Sequence, residues 1–284
     1  NAERTEFLWE HDQAVEARLL LLGGLGDMAE LLRLMQQFAA ALQAYSRVLR
    51  LAHGSGTTEA VHLNNLANLH MDMLNYSTAL GLYAQSLEIT ESQYGHAQHP
   101  EVGRVLHNIG LCYRHLNEPE KAMKAFDRAL PMLVDALGEF HPEVGTILNS
   151  MSILWSQSAK KMPKGSEERR VAFLQALQAA QRSVVIRERS LGPEHPSLAG
   201  AYSNMGRIYN LVGDSTAAQR CFIRSIEIAE KGEYTPILGR SLSHLAQHDF
   251  QNGKVSSAQK KFRSAVNVLR VTLGVKHAYT RRVE

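Results

Sequence analysis

Cysteine is nearly missing. Cys112 and Cys221 are the only two in 284 residues, so no disulfide framework can be drawn, and such usage fits a reducing compartment. Both sit at apolar positions of helical spacing and read as buried free thiols. Proline is scarce as well, with eight residues, most of them at regularly spaced joints. No strand-like alternation bounded by turns recurs, which argues against a sheet-built fold. No apolar run approaches the ~20 residues of a membrane span; the run Leu19 to Leu22 ends at once in Gly23-Gly24. Charge of one sign is also lacking. With 21% charged residues, a net charge of +3 and a pI near 8.8, the chain is mildly basic. That leaves room for an acidic partner but provides no nucleic-acid tail.

The chemistry of sites is equally thin. No HExxH, no CxxC and no paired carboxylates appear, and no nucleophile elbow can be read. The 13 histidines do not converge. His99, His141 and His195 come one per repeat, each before Pro, and His62/His70 and His107/His115 are spaced eight apart without a third ligand near in sequence. Gly23-Gly24-Leu25-Gly26-Asp27 lacks the Gly-Lys-Ser/Thr of a phosphate loop and any preceding strand, and reads as a helix break. The expectation is a protein without catalytic residues, metal or cofactor.

What is present is repetition. The stretch His99 to Phe140 restarts 42 residues later at His141-Pro142-Glu143-Val144-Gly145, and His195-Pro196 starts it again. A period in this range marks a solenoid. Within one unit, Val102, Val105, Leu106, Ile109, Leu111, Cys112 and Tyr113 follow mostly helical spacing. His99-Pro100-Glu101 is a start signal, because proline fits the first turn and a carboxylate suits the positive helix end. Asn117-Glu118-Pro119-Glu120 breaks the helix. A second helix runs from about Glu120 to Leu137, with Ala122, Phe126, Ala129, Leu130 and Leu133 on one face, and Gly138 stops it. Such a hairpin has too large an apolar face to bury alone, so neighbours must stack. The fold class expected is all-α, a right-handed superhelical solenoid of antiparallel helix pairs.

Taken in order, residues 1–21 form an amphipathic capping helix with Phe7, Leu8, Trp9, Val15, Leu19 and Leu20. Six hairpins follow at about 22–55, 56–98, 99–140, 141–194, 195–234 and 235–276, and residues 277–284 begin a truncated seventh unit. The first hairpin is degenerate. The fourth is 54 residues long, 12 more than the period, and its extra polar text near 158–170 reads as an inserted loop. The chain starts at Asn1 without an initiator Met, so the N-terminus is expected to be missing.

Leu106, Gly110, Tyr113, Ala122, Phe126 and Ala129 fall at the offsets of the tetratricopeptide signature, where small residues admit close helix packing and aromatics fill the gap. The tetratricopeptide unit is normally about 34 residues. The His-Pro start, the Leu-Gly end (Leu137-Gly138, Leu191-Gly192, Leu273-Gly274) and the 42-residue length resemble the kinesin light chain kind of repeat, over roughly Leu22 to His277. That resemblance implies a groove that holds cargo-adaptor peptides with inward asparagines and basic residues. Asn65, Asn108 and Asn204 match it; Ser150 and His244 stand at the same position and depart from it.

The first helix of each pair is expected to line the inner surface. The residues placed there are Asn64, Asn65 and Asn68, then Arg104, His107, Asn108 and Arg114, then Asn149, Ser150 and Ser156. Ser203, Asn204, Arg207 and Asn210 follow, and last Arg240, Ser243, His244 and Gln247. An inward amide donates and accepts, so a ladder of amides can pair with an extended peptide backbone. The alternative for the same asparagines is to brace the neighbouring repeat. Arg104, Arg114, Arg207 and Arg240 favour acidic side chains, while Asp27 and Glu30 oppose that bias in the first repeat. The reading is a cytoplasmic, non-catalytic adaptor that binds an extended, acidic protein segment, with no nucleic-acid partner and no membrane insertion. The alternative is a subunit docked by its outer faces and ends in a motor, ciliary or mitochondrial assembly.

Overall fold

The computed structural model describes residues 18, 20–94, 99–232, 235–274 and 278–283. The helix read at residues 1–17, and His277, lie outside them. The first helix, α1, covers residues 20–34. Then come α2 (Phe38–Ala52), α3 (Thr57–Asp72), α4 (Tyr76–Tyr94), α5 (Pro100–His115), α6 (Pro119–Leu137) and α7 (Pro142–Lys161). They are followed by α8 (Glu167–Leu191), α9 (Pro196–Val212), α10 (Ser215–Lys231), α11 (Thr235–Gln251), α12 (Val255–Leu273) and α13 (Ala278–Val283). Among the described residues there is no strand. The fold is an all-α array of helical hairpins, divided into two units, Asn1–Met132 and Leu133–Glu284.

The local rules explain the helix ends. His99, His141 and His195 each hold an extended backbone, and each ring Nδ1 accepts the amide N–H two residues on at 3.3 Å. Proline then occupies the first helical position, where its missing N–H is no loss. Within a hairpin, the turn after the first helix needs one residue at positive φ: Gln36, Leu74, Asn117, Gly213 and Gly253 in turn. Between hairpins Gly138, Gly192 and Gly274 do the same.

In the first unit α3 packs on α2 and α4, and α4 on α5. Ala67, Ala79, Tyr83, Val105, Ile109, Cys112 and Ala125 form one core cluster there. Gly110 lies so close to the Phe126 ring that a methyl group would overlap it, which is the physical content of the small-residue signature. In the second unit the consecutive helices from α7 to α13 pack in order, and α9 also touches the first helices α7 and α11. Its main cluster joins Ala176, Ala180 and Val184 of α8 to Leu198, Met205 and Ile208 of α9 and Ile228 and Ala229 of α10. One buried hydroxyl recurs: Ser86 donates to the Ala60 carbonyl at 2.8 Å, and Ser183 to Gly145 and Ser225 to Ala199, each at 2.6 Å. It ties the second helix to the first at the same register each time.

Two expectations need correction. The text near 158–170 is not a long loop. Residues through Lys161 extend α7, Ser166 caps α8 by accepting the Arg169 amide N–H at 3.2 Å, and only residues 162–166 connect them. The polar residues face solvent on longer helices. Nor does Gly23 to Asp27 break a helix, since α1 runs through it. Gly26 is there because the His62 ring lies against it, 2.7 Å from where a Cβ would stand.

Candidate functional site

The first helices present their polar sides next to one another, and the asparagines meet across them. In the first unit Asn108 of α5 donates from Nδ2 to Oδ1 of Asn64 of α3 at 3.0 Å. In the second unit Asn204 of α9 donates to Asn149 of α7 at 3.1 Å. His244 of α11 meets Ser203 of α9 through Nδ1 at 2.9 Å. The register is the same in all three rungs: the ladder position of one hairpin pairs with the residue just before the ladder position in the preceding hairpin. The signal was visible in the sequence only as two adjacent polar positions recurring together.

The rungs use part of each amide. An asparagine side chain has two N–H donors and an oxygen with two lone pairs, and one rung occupies one of these. Asn65 is half-buried beside the first rung, and its side chain makes no hydrogen bond among the described residues. Asn68 instead accepts from the buried Tyr83 hydroxyl, whose pKa burial raises well above the ordinary value. Asn210 donates to Gln251 at 2.6 Å.

The cations are less uniform. Arg104 is paired with Glu101 on its own helix. Arg114 sits by His115, 3.2 Å from its Nε2, and burial pulls its guanidinium below the usual range. The His115 ring is itself stacked on Tyr76 at 4.6 Å. His107 is driven down to about 4, first by burial and then by Arg114, so the ring is neutral at physiological pH. Arg240 is exposed on α11. In the first hairpin Glu30 is held low by Arg33 and accepts from Tyr45 at 2.8 Å, so its carboxylate is already engaged.

Two recesses open on these faces. In the second unit a shallow pocket of about 80 Å³ is lined by Lys160, Arg207, Asn210, Phe222, His244 and Gln247. Four of these six were read from the sequence; Lys160 was missed because it was assigned to a loop, and Phe222 because it was assigned to the core. In the first unit a cleft of about 460 Å³ lies between α3, α4 and α5. Asn64, Asn65 and Arg104 line it, with Thr57, Thr90 and Tyr94, which periodicity alone did not single out. Among the described residues no group of three or more His, Cys, Asp or Glu could hold a metal. No described helix is long and apolar enough to cross a membrane. Burial pushes the thiols of Cys112 and Cys221 up to about 12 and about 11, far from reactive thiolates.

Comparison with known proteins agrees with this geometry. The Tetratricopeptide repeat family model matches residues 58–135 and 172–231. These two stretches are tetratricopeptide repeats. Among solved structures it is similar to BtubC (BKLC) from P. vanneervenii, with 20% identity over 86% of this chain and 93% of that one and a TM-score of 0.65. It is also similar to a P. anserina chain of nearly identical TPR-like repeats named for kinesin light chain, at 16% identity, 78% and 99% coverage and a TM-score of 0.60. A third similar structure is NprR in complex with its cognate peptide NprX, at 14% identity, 100% and 78% coverage and a TM-score of 0.65. No curated protein matches by sequence.

Proposed function

We propose that this chain is a non-catalytic adaptor that holds an extended protein segment along its first-helix faces. The observation that carries the reading is the recurrent side-by-side placement of amides on consecutive first helices, with hydrogen-bonding capacity left over after each rung. A peptide backbone offers alternating donors and acceptors, which such amides meet without regard to side chain. NprR, similar in fold, is seen with its cognate peptide, which supports a peptide as the ligand class here. Lys160 and Arg207 on the pocket of the second unit favour acidic side chains in a segment held there.

The test is an array of extended peptides of graded acidity, probed with the wild-type chain, with Asn65→Ala, and with Lys160→Gln combined with Arg207→Gln. Wild type is expected to retain the acidic peptides. The charge variant is expected to lose roughly tenfold in affinity, the size of one charge-assisted hydrogen bond, and to lose the salt dependence with it. Asn65→Ala is expected to weaken all peptides alike. Binding that ignores all three substitutions would overturn the reading. A second reading, docking as a subunit of a larger assembly, is favoured by one observation. Leu20, Leu21, Met28, Leu31, Leu34 and Met35 are exposed on or next to α1, and a row of this kind marks a contact surface.

A further inference from the structure

The recurring serine bond fixes a register in which second helices can be compared. Four residues after that serine stand Thr90 in α4, Arg187 in α8 and Ala229 in α10. The small residues are buried at 4% and 0% exposure, and so is Arg187, at 7%. Arg187 is unusual. Its stem lies on Gly145, 3.2 Å from where a Cβ would stand. Its guanidinium donates to the Ser197 carbonyl at 2.8 Å and to the Thr146 hydroxyl at 3.1 Å, and its Nε has no partner. Burial lowers its pKa, and nothing raises it. An arginine thus occupies the space between α7, α8 and α9 while making only neutral hydrogen bonds.

The cleft of the first unit is the same space, emptied. Ala60 stands where Gly145 stands, each accepting the serine bond. Glu101 stands where Ser197 stands, next after the His-Pro start. Thr90, with its hydroxyl turned to the Ser86 carbonyl at 2.6 Å, is too short to fill what Arg187 fills, and about 460 Å³ remains open. The opening also has what Arg187 lacks: the Glu101 carboxylate, the Asn65 amide and the Tyr94 ring among its walls. A guanidinium pairs with the first, hydrogen-bonds the second and stacks on the third.

We infer that the cleft between α3, α4 and α5 takes an arginine side chain from a bound partner, at the place that Arg187 fills from within in the second unit. Thr90 leaves this cleft open to a partner, and Arg187 keeps its counterpart shut. Arg104 already pairs with Glu101 at the mouth, so the incoming guanidinium shares that carboxylate. The inference rests on the adaptor reading only for the chain that delivers the side chain, and the test does not need that chain.

N-acetyl-arginine amide is titrated into the isotope-labelled protein, with N-acetyl-glutamate amide and N-acetyl-tryptophan amide as comparators. The arginine probe is expected to shift the amide resonances of Thr57, Asn64, Asn65 and Glu101, and the comparators are not. Glu101→Gln is expected to weaken the arginine probe by roughly fivefold, the scale of one exposed ion pair. Thr90→Arg, which copies Arg187 into α4, is expected to fold and to abolish the shifts. Should that variant unfold, Glu101→Gln still decides the matter. No shift with the arginine probe, a stronger response to the glutamate or tryptophan probe, or indifference to Glu101→Gln would each overturn the inference. An arginine response without any binding on the peptide array would leave the cleft standing and remove the adaptor reading instead.

Discussion

At the scale of the residue, backbone conformation is chosen before side-chain chemistry. The turn inside each hairpin requires positive φ, and Gly213 and Gly253 supply it at φ 92 and 76. Leu74 meets the same demand at φ 62 with its side chain 69% exposed. A left-handed leucine costs about 1–2 kcal/mol, and nothing is packed on it in return. Leu74→Gly is therefore expected to raise stability by about 1 kcal/mol, less the entropy glycine adds to the unfolded chain. The midpoint of urea denaturation reads it, and a lower midpoint would contradict the account. The small-residue positions were legible at this scale, because Gly110 and Gly206 fall at fixed offsets and lie against Phe126 and Phe222. The rung partners were not. Asn108 was read as a polar first-helix residue, but its bond to Asn64 depends on the stagger between two hairpins, which no single repeat contains.

At the scale of the element, helix starts were plain in the text and helix ends were not. Proline after histidine announced α5, α7 and α9, though the ring nitrogen acting as the cap is invisible without coordinates. The extra residues of the fourth unit read as a loop because they are polar and carry Pro163 and Gly165. Polarity also describes the exposed side of a long helix, and that is where Lys160 and Lys161 lie. The helices α3 and α5 carry the pH dependence. Burial lowers His62, His70 and His107, the last to about 4. A histidine depressed in the fold binds its proton more readily when unfolded, near pH 6.5. The stability it contributes is complete above that pH and is lost as the pH falls towards the folded value. Melting temperature is expected to drop between pH 6.5 and 4, and His107→Gln to flatten that slope. An equal slope in the variant would place the proton uptake elsewhere.

At the scale of the whole molecule, the period was the most legible feature, since a 42-residue repeat is written in identities that need no folding to see. The division into two units was not legible, as nothing in composition changes near Met132. In stacked hairpins stability is a sum of local units and their neighbours. Gly206→Ala would press a methyl group onto the Phe222 ring, 2.8 Å away, and overpacking costs about 1–3 kcal/mol. Amide hydrogen exchange is expected to quicken in α9, α10 and α11 while α3 and α4 keep their protection; quickening throughout would mean a single cooperative block. The rungs bear on mechanics as well. Asn108–Asn64, Asn204–Asn149 and His244–Ser203 act as tie bars across the first helices, so within each unit they resist fanning apart of the hairpins. Under the proposed function a ligand takes the donors and acceptors that the rungs leave over, so each tie bar stays closed and a unit keeps the same stiffness loaded or empty.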